Sequence, residues 1–455
     1  MLDLVKRKVH GWQILSVALL LGMGGALAAQ TEAGEMEEQT RPVTDRAIAW
    51  LAAQQVPNST VPDPQPDRRH LPLSYQIPAR DPVHAALGGR SFTYDAAVAA
   101  IAFSAVGENE RAEDILLTLG RLLERDGTLW FAYNTNNAWP NEDDRGGALV
   151  RSGTVGWAGY AATFYLRMTE DQPVTAVTRR VRDQILGLAR DVGDFALARQ
   201  ITDSGDPRYG LVTGGSGVYS LRLGEDGQVS EDFADDSIDW ASTEHNIDIF
   251  FLFRDLFHLT GEERYATAAD RVAAGLDSLW SDSAGQLIQG IKGDGTRDTV
   301  LPLDTASWGA LFYAARDRDD RVARMLETIE ERFRREEDSR AGYVPYGGTP
   351  VYEDAGLAER FLGSADAVWT EYGPIWIEGS LGVATAYAAA GDYGEATRIL
   401  VEMEDFQLGN GGFRYANREI PYIFSDYRSV ASTAWYVIAE RFLHDPKVRE
   451  TFWSG

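Results

Sequence analysis

The chain of 455 residues contains no cysteine and very little lysine. The absence of cysteine excludes disulfides, thiolate chemistry and cysteine-linked lipid anchors. Lysine occurs only at Lys6, Lys8, Lys292 and Lys447, so arginine carries nearly all of the positive charge. Acidic residues number 69 against 43 basic ones, which gives a net charge of −26. We therefore expect no binding to nucleic acid or to an anionic membrane surface.

Histidine is also scarce, and its spacing does not suit a metal. The six histidines include no pair at metal-ligand spacing on a helix and no HExxH motif. The glycine-rich segment Thr213–Tyr219 lacks the lysine and the spacing of a phosphate loop, so we expect a flexible lid or turn there. No nucleophile elbow is present. We predict no cofactor and no metal, with a loop-bound calcium ion as the remaining alternative.

The N-terminus has the pattern of an export signal. A basic cluster, Lys6–Lys8, precedes a short apolar stretch, Ile14–Leu27, and the small residues Ala26–Ala28 match a cleavage site. We predict that residues 1–29 are a signal peptide and that the protein is periplasmic or secreted. An uncleaved membrane anchor is the alternative, although the apolar stretch is shorter than the ~20 residues that span a bilayer. Residues 30–41 are polar and acidic, which predicts a disordered leader.

The remainder, residues 42–455, repeats one couplet of helices. A helix that is apolar all round is followed by a helix that is apolar on one side only, which is typical of a buried and a surface helix, respectively. The apolar members are expected at 93–103, 154–166, 244–259, 304–315, 378–390 and 430–442. Their one-sided partners are expected at 110–125, 174–190, 263–280, 319–335, 393–405 and, for the last, 45–55 near the other end of the domain.

Six such hairpins predict an all-α fold, an (α/α)6 toroid, in a single domain. The turn from each inner to each outer helix is short, whereas every return is long. The long returns span roughly 56–92, 126–153, 191–242, 281–303, 336–376 and 406–428. All six should lie on one face, above the first turns of the inner helices. Long loops in a compact domain are usually functional, so we expect the site on that face.

Carboxylates recur where the inner helices begin. Glu244 and Asp248 lie one turn apart, and Asp95, Asp304 and Glu378 occupy similar places. Helix capping alone favours acids there, but several that meet in one basin would supply the two carboxyl groups that glycosidic cleavage needs. We predict Glu244 as the general acid and Asp95 or Glu378 as the base, with Asp248 as a further catalytic candidate.

Aromatic and amide side chains crowd the same loops and helix starts. Flat rings stack on sugar faces while amides bind hydroxyl groups, so this composition predicts a carbohydrate-binding surface. The candidate substrate-binding residues are Trp130, Tyr133, Trp139, Trp157, Trp240, His245, Asn246, Trp308 and Trp376. The alternative is that about half of the tryptophans are core wedges and that His245 is structural.

The hairpin organisation resembles the six-hairpin glycosidase-like superfamily. The segments Phe92–Ala97, Ser242–Asp248 and Val430–Trp435 are similar to those of exported bacterial proteins of that kind. The resemblance covers roughly residues 42–445 and is architectural, so it carries over no catalytic residue. It implies a carbohydrate-active cup: a glycoside hydrolase on a polysaccharide or oligosaccharide, or else a polysaccharide lyase or an epimerase.

Two further alternatives use the same toroid. A non-catalytic polysaccharide-binding or secretion-associated protein would have its acids neutralised by arginines such as Arg151, Arg254 or Arg428. The segment Asn410–Tyr415 is similar to terpene-cyclase and prenyltransferase barrels, but their DxDD signature is missing.

Overall fold

The chain folds into a ring of helical hairpins in a computed structural model, which describes residues 42–136, 148–224 and 227–454. The helices are α1 (Val43–Gln54), α2 (His84–Leu87), α3 (Thr93–Ala105), α4 (Asn109–Leu122), α5 (Ser152–Met168), α6 (Ala176–Arg199), α7 (Thr243–Thr260), α8 (Glu263–Ser278), α9 (Leu303–Ala314), α10 (Asp319–Phe333), α11 (Ala355–Leu362), α12 (Trp369–Tyr372), α13 (Ile377–Ala389), α14 (Tyr393–Glu404), α15 (Val430–His444) and α16 (Pro446–Thr451).

Short strands fill the long connections. They are β1 (Tyr75–Gln76), β2 (Arg90–Phe92), β3 (Ala132–Asn134), β4 (Val150–Arg151), β5 (Gly215–Leu223), β6 (Val229–Ile238), β7 (Ala241–Ser242), β8 (Trp280–Ser281), β9 (Gln286–Leu287), β10 (Gly290–Ile291), β11 (Arg297–Asp298), β12 (Arg334–Glu337), β13 (Arg340–Tyr343) and β14 (Arg428–Ser429). Each sheet has two or three strands, and all the pairings are antiparallel.

The inner ring consists of α3, α5, α7, α9, α13 and α15. These helices are buried on both sides, as in α13, where every residue from Ile377 to Ala388 is buried. The first and last of them, α3 and α15, pack on each other and close the ring. The predicted (α/α)6 toroid is therefore confirmed. No helix in the described ranges is long and apolar enough to cross a membrane.

The outer ring consists of α4, α6, α8, α10, α14 and α1. In α10 the buried residues Val322, Met325, Ile329 and Phe333 recur at helical spacing and form one stripe. The helix α1 packs on α15, so the sixth hairpin is indeed made from the two ends of the domain. The main difference in bounds concerns α6, which continues to Arg199 because its buried stripe extends beyond the predicted end.

The axis of the toroid is filled with aromatic rings. Trp157, Trp308 and Trp435 each lie at the sixth position of an inner helix, and their ring centroids are 5.6–6.0 Å apart. Trp453, near the C-terminus, lies against Trp157 and stacks on Phe251 at 5.0 Å with an interplanar angle of 7°. Since Phe251 is in the third turn of α7, Trp453 fills the ring from the side opposite the helix starts. We call Trp157, Trp308 and Trp435 the tryptophan floor.

The C-terminal segment should therefore contribute strongly to stability. Phe452 is fully buried and contacts Tyr160 and Trp435 at 5.8 Å. We expect Phe452→Ala to lower the free energy of unfolding by about 3–5 kcal/mol, the usual cost of a cavity of this size. The control is Phe257→Ala, at a residue that is 37% exposed. Denaturant titration of both variants measures the difference, and equal losses would contradict a packed C-terminus.

Candidate active site

Five carboxyl groups lie around the axis at the start of the inner helices. Glu244, Asp304 and Glu378 are each the second residue of their helices, and Asp95 is the third residue of α3. Asp248 lies one turn below Glu244. Their charges influence one another, since Asp304 and Glu378 both raise the pKa of Glu244. The structure therefore brings these acids close together around the axis, as the sequence predicted.

A cleft of about 480 Å³ opens above α7 and α9. Glu244 and Asp304 line it together with Trp240, Tyr346 and Glu353. This volume is in the range of about 300–1,000 Å³ that is typical of sites for one small ligand. Glu244 and Asp304 line the cleft directly, whereas Glu378 is buried beside it, close enough for its charge to act on Glu244.

Glu244 and Asp304 favour their protonated forms. Burial raises the pKa of Glu244 well above its usual value, and the charges of Asp304 and Glu378 raise it further. Burial also raises the pKa of Asp304 to about 7. Within the described residues, Glu244 forms no ion pair and accepts no hydrogen bond. A desolvated carboxyl group beside like charges retains its proton at neutral pH.

Glu378 has a different environment because two other helices supply it with a donor. The Tyr94 hydroxyl donates to Glu378 Oε1, and Trp435 Nε1–H donates to the Tyr94 oxygen at 2.7 Å. An indole N–H can only donate, so it leaves the tyrosine proton directed at Glu378. Burial raises the pKa of Glu378 to about 8, while the Tyr94 hydrogen bond opposes the rise. This relay makes Glu378 easier to ionise than burial alone would allow.

Asp95 has a mainly structural environment. Its carboxyl group is hydrogen-bonded to the Ser74 side chain and to the backbone of Ala431, in the first turn of α15. Burial is the larger effect and raises the pKa of Asp95 to about 7. Asp95 therefore joins the first inner helix to the last, and of the two residues predicted as the base, Glu378 has the environment better suited to that role.

Asp248 is the most deeply placed of the five. Its side chain is buried, and neither oxygen has a hydrogen-bond partner of normal geometry among the described residues. Burial raises the pKa of Asp248 well above its usual value, and the charges of Glu244 and Asp304 add to the rise, which the Trp157 side chain opposes. This environment shifts Asp248, at the edge of the tryptophan floor, toward its protonated form.

Trp240 and His245 lie at the cleft, as predicted for substrate-binding residues. Their rings are 5.4 Å apart. Burial lowers the pKa of His245 to about 3, and the Arg151 charge contributes, so the imidazole is neutral. Its Nδ1 lies 3.3 Å from Ser152 Oγ. Gly153 makes room for the ring, since a Cβ there would lie 2.3 Å from His245 Cδ2.

Asn246 lies in the wall of the toroid, with its amide occupied by the chain itself. Its Oδ1 accepts the Val212 N–H at 2.7 Å, and its Nδ2 donates to the carbonyls of Val212 and Ser242 at 3.1 and 2.8 Å. These bonds fix the third connection against α7. They leave no amide group directed at the cleft, so the geometry does not support the predicted binding role of Asn246.

The other predicted aromatic residues are largely enclosed. Trp157 and Trp308 belong to the tryptophan floor, and Trp376 is buried edge-on against Phe424. Trp130 stacks on Tyr133 at 5.8 Å, where the Tyr133 hydroxyl accepts the Trp130 backbone N–H at 3.0 Å. Trp139 lies outside the described residues. Packing accounts for Trp157, Trp308 and Trp376, in line with the alternative that about half of the tryptophans are core wedges.

Several tyrosines near the acids were not identified from the sequence. The charges of Asp304 and Glu244 add to the effect of burial on the pKa of Tyr346, and those of Glu378 and Asp95 do the same for Tyr415. Both tyrosines come from long connections that lack a periodic pattern. Tyr94 could have been identified from the sequence, because it adjoins Asp95 at the start of a helix.

Comparisons with known proteins show the fold. No family model matches the chain, and no curated protein matches its sequence. A glycosidase variant solved with glucose is 13% identical, with a TM-score of 0.56 over 88% of this chain and 96% of that one. A GH63 mannosylglycerate hydrolase from Thermus thermophilus, in complex with glucose, is 15% identical, with a TM-score of 0.54 and coverage of 88% and 99%.

A family 76 glycoside hydrolase from a bovine Bacteroides thetaiotaomicron strain is also similar. It is 10% identical, with a TM-score of 0.54 over 89% of this chain and 78% of that one. The chain thus has the six-hairpin glycosidase-like fold. At these identities the similarity establishes architecture alone.

Replacing Asp248 by asparagine should make stability less dependent on pH. Its folded pKa lies well above its usual value of 3.8, so the folded state binds the extra proton and stability falls as pH rises above about 4. One such group contributes up to about 1.4 kcal/mol per pH unit. Asp248→Asn removes that contribution and should unfold at higher denaturant concentration than the wild type at about pH 8.

Exposed Asp366→Asn is the control for this measurement. Denaturant titrations from about pH 5 to about pH 9 give the pH dependence of each protein. An Asp248→Asn variant that is as pH-dependent as the wild type would show that Asp248 does not hold a proton in the fold.

Proposed function

We propose that this protein is a glycoside hydrolase that cleaves a polysaccharide or oligosaccharide, with Glu244 as general acid and Glu378 as the second carboxylate. The observation that carries the proposal is the contrast between the two side chains. Glu244 lines the cleft without a hydrogen-bond donor and burial raises its pKa, whereas Glu378 accepts the Tyr94 hydrogen bond. A pair of carboxyl groups with divergent environments is what glycosidic cleavage requires.

In this mechanism Glu244 donates its proton to the glycosidic oxygen as the bond to the anomeric carbon breaks. Glu378 either removes a proton from the attacking water or attacks the anomeric carbon itself, and both roles need an ionised carboxylate. Burial, together with the negative charges of Asp304 and Glu378 when these groups are ionised, helps Glu244 to keep its proton until the leaving group accepts it. Trp240 offers a flat ring in the same cleft for stacking on a sugar.

The arginine contacts favour hydrolysis over non-catalytic binding. Among the described residues, none of the five carboxyl groups forms an ion pair with a basic side chain. Arg151 donates to the backbone of Val150 and Ser216, and the Arg254 guanidinium lies 5.5 Å from the Phe250 ring centroid. The pKa of Arg428 is lowered by burial and by the Arg414 charge, with no acid of the basin contributing. The acids thus remain available for proton transfer.

The proposal includes export to the periplasm or the exterior. Residues 1–29 support it, since they combine a basic start, a short apolar stretch and a small-residue cleavage site. Sequencing the N-terminus of the mature protein from cell fractions tests this part separately from the activity. An intact N-terminus in the membrane fraction would indicate the anchor instead.

Glu244→Gln should reduce kcat by about 10²–10⁴-fold, the contribution expected of a general acid. The control is Glu353→Gln, which changes another acid of the cleft and should cost less than about tenfold. The assay screens polysaccharides and aryl glycosides for new reducing ends. Absorbance of unsaturated sugars would indicate a lyase instead, and a loss below about tenfold in Glu244→Gln would remove Glu244 from its role.

Tyr94→Phe should move the acid limb of the pH–activity profile to higher pH. In the wild type this limb follows ionisation of Glu378, whose pKa is about 8. Losing a hydrogen bond to the charged form, worth about 1.5–3 kcal/mol, should raise that pKa by about one to two units. Tyr427→Phe, which loses a hydrogen bond to Asp81 at the rim, is the control.

The measurement is kcat/KM as a function of pH, which reports ionisation in the free enzyme. The alkaline limb, set by Glu244, should stay where it is in both variants. An unchanged acid limb in Tyr94→Phe would show that the relay does not tune Glu378.

A further inference from the structure

We infer that the cup receives a glycan only by its end, so that the hydrolase releases terminal sugars and does not cleave bonds inside a chain. The inference rests on the proposed function and specifies its substrate class. The observations behind it are a rim that is closed all round, an arch above the cleft and a filled floor.

The rim is closed because each long connection is hydrogen-bonded to the next one around the ring. Antiparallel strand pairs join the first connection to the second (β2 and β3), the second to the third (β4 and β5) and the third to the fourth (β7 and β10). The pair β1 and β14 joins the sixth connection to the first.

Isolated bridges complete the circle. Pro302 pairs with Tyr346 between the fourth and fifth connections, and Trp376 pairs with Ala416 between the fifth and sixth. A groove that passes between two connections at the level of the helix starts would need a gap between them. Each neighbouring pair is instead joined through described residues.

An arch adds a second layer to this rim. The hairpin of β5 and β6 starts beside α5 and α7 and reaches the helix α11 in the fifth connection. Leu223 packs closely on Gly356, since a Cβ added at Gly356 would lie 3.1 Å from Leu223 Cδ2. The Arg360 side chain donates a hydrogen bond to the Gly227 carbonyl. The arch therefore joins the third connection to the fifth without involving the fourth, which leads into α9 and Asp304.

Both feet of the arch border the cleft. Trp240 lies two residues after β6 and Glu353 two residues before α11, and both line the cleft that contains Glu244 and Asp304. The opposite end of the toroid offers no exit, because Trp453 fills the axis beneath the tryptophan floor. A long glycan cannot run past the acids on both sides of the scissile bond.

Product analysis on any polysaccharide that the enzyme cleaves tests the inference. We expect one small sugar as the early product and an unchanged viscosity while reducing ends accumulate. A rapid fall in viscosity, with larger oligosaccharides appearing first, would overturn end-on cleavage while leaving the hydrolase assignment intact.

A binding comparison keeps the two proposals distinguishable. If no substrate releases reducing ends, the hydrolase proposal fails, and quenching of tryptophan fluorescence then tests access to the cup. The probes are linear maltohexaose and its six-membered ring, which has no ends. Quenching by the linear chain alone supports end-on entry, whereas equal affinity for the ring overturns it.

Leu223→Asp tests the arch itself, by placing a charge where the hairpin packs on α11. This substitution should increase the rate of hydrolysis of cyclic maltohexaose, relative to that of linear maltohexaose, by at least about tenfold. Val218→Asp, on the same strand at a residue that is 44% exposed, is the matched control and should leave that ratio unchanged. A folded Leu223→Asp variant with the wild-type ratio would overturn the role of the arch.

Discussion

The structure depends on keeping several carboxyl groups out of water at the start of one ring of helices. The inner helices are buried on both sides, so a carboxyl group in their first turns loses its solvent and meets other carboxyl groups across the axis. The acids cannot all ionise together, and each proton that one group holds lowers the cost of ionising its neighbour. The chemistry of the site and its pH-dependent stability therefore have the same origin.

Such a cluster tends to push the inner helices apart, and the ends of the domain oppose it. The first helix, α1, covers the last inner helix, while Phe452 and Trp453 fill the axis from the far side. Asp95 contributes to closure directly, because it accepts hydrogen bonds from Ser74 in the first connection and from the Ala431 backbone in the last inner helix. The aromatic packing does not depend on pH. It thus stabilises a ring of helices whose carboxyl groups titrate.

Much of this arrangement could be predicted from the sequence because periodicity determines it. Apolar and one-sided helices alternate visibly, and equivalent starts around a ring must meet, which placed Glu244, Asp304 and Glu378 together. The long connections carry no such period. The segment 213–219 was expected to be a flexible lid or turn, but most of it belongs to the strand β5. Asn246 was expected to contact a ligand. Their partners, α11 and the Val212 backbone, are distant or irregular in sequence, so no local pattern indicates them.

The proposed division of roles between the two glutamates was the least predictable feature, for a related reason. Glu244 and Glu378 are both second residues of buried helices, and burial raises the pKa of each. What distinguishes them is a hydroxyl from α3 whose own oxygen is held by an indole from α15. Neither helix adjoins Glu378 in sequence, so no local pattern around either glutamate contains the difference. In the proposed mechanism, the difference between acid and base depends on the closure of the ring, which brings the first and last inner helices to one side of the fifth.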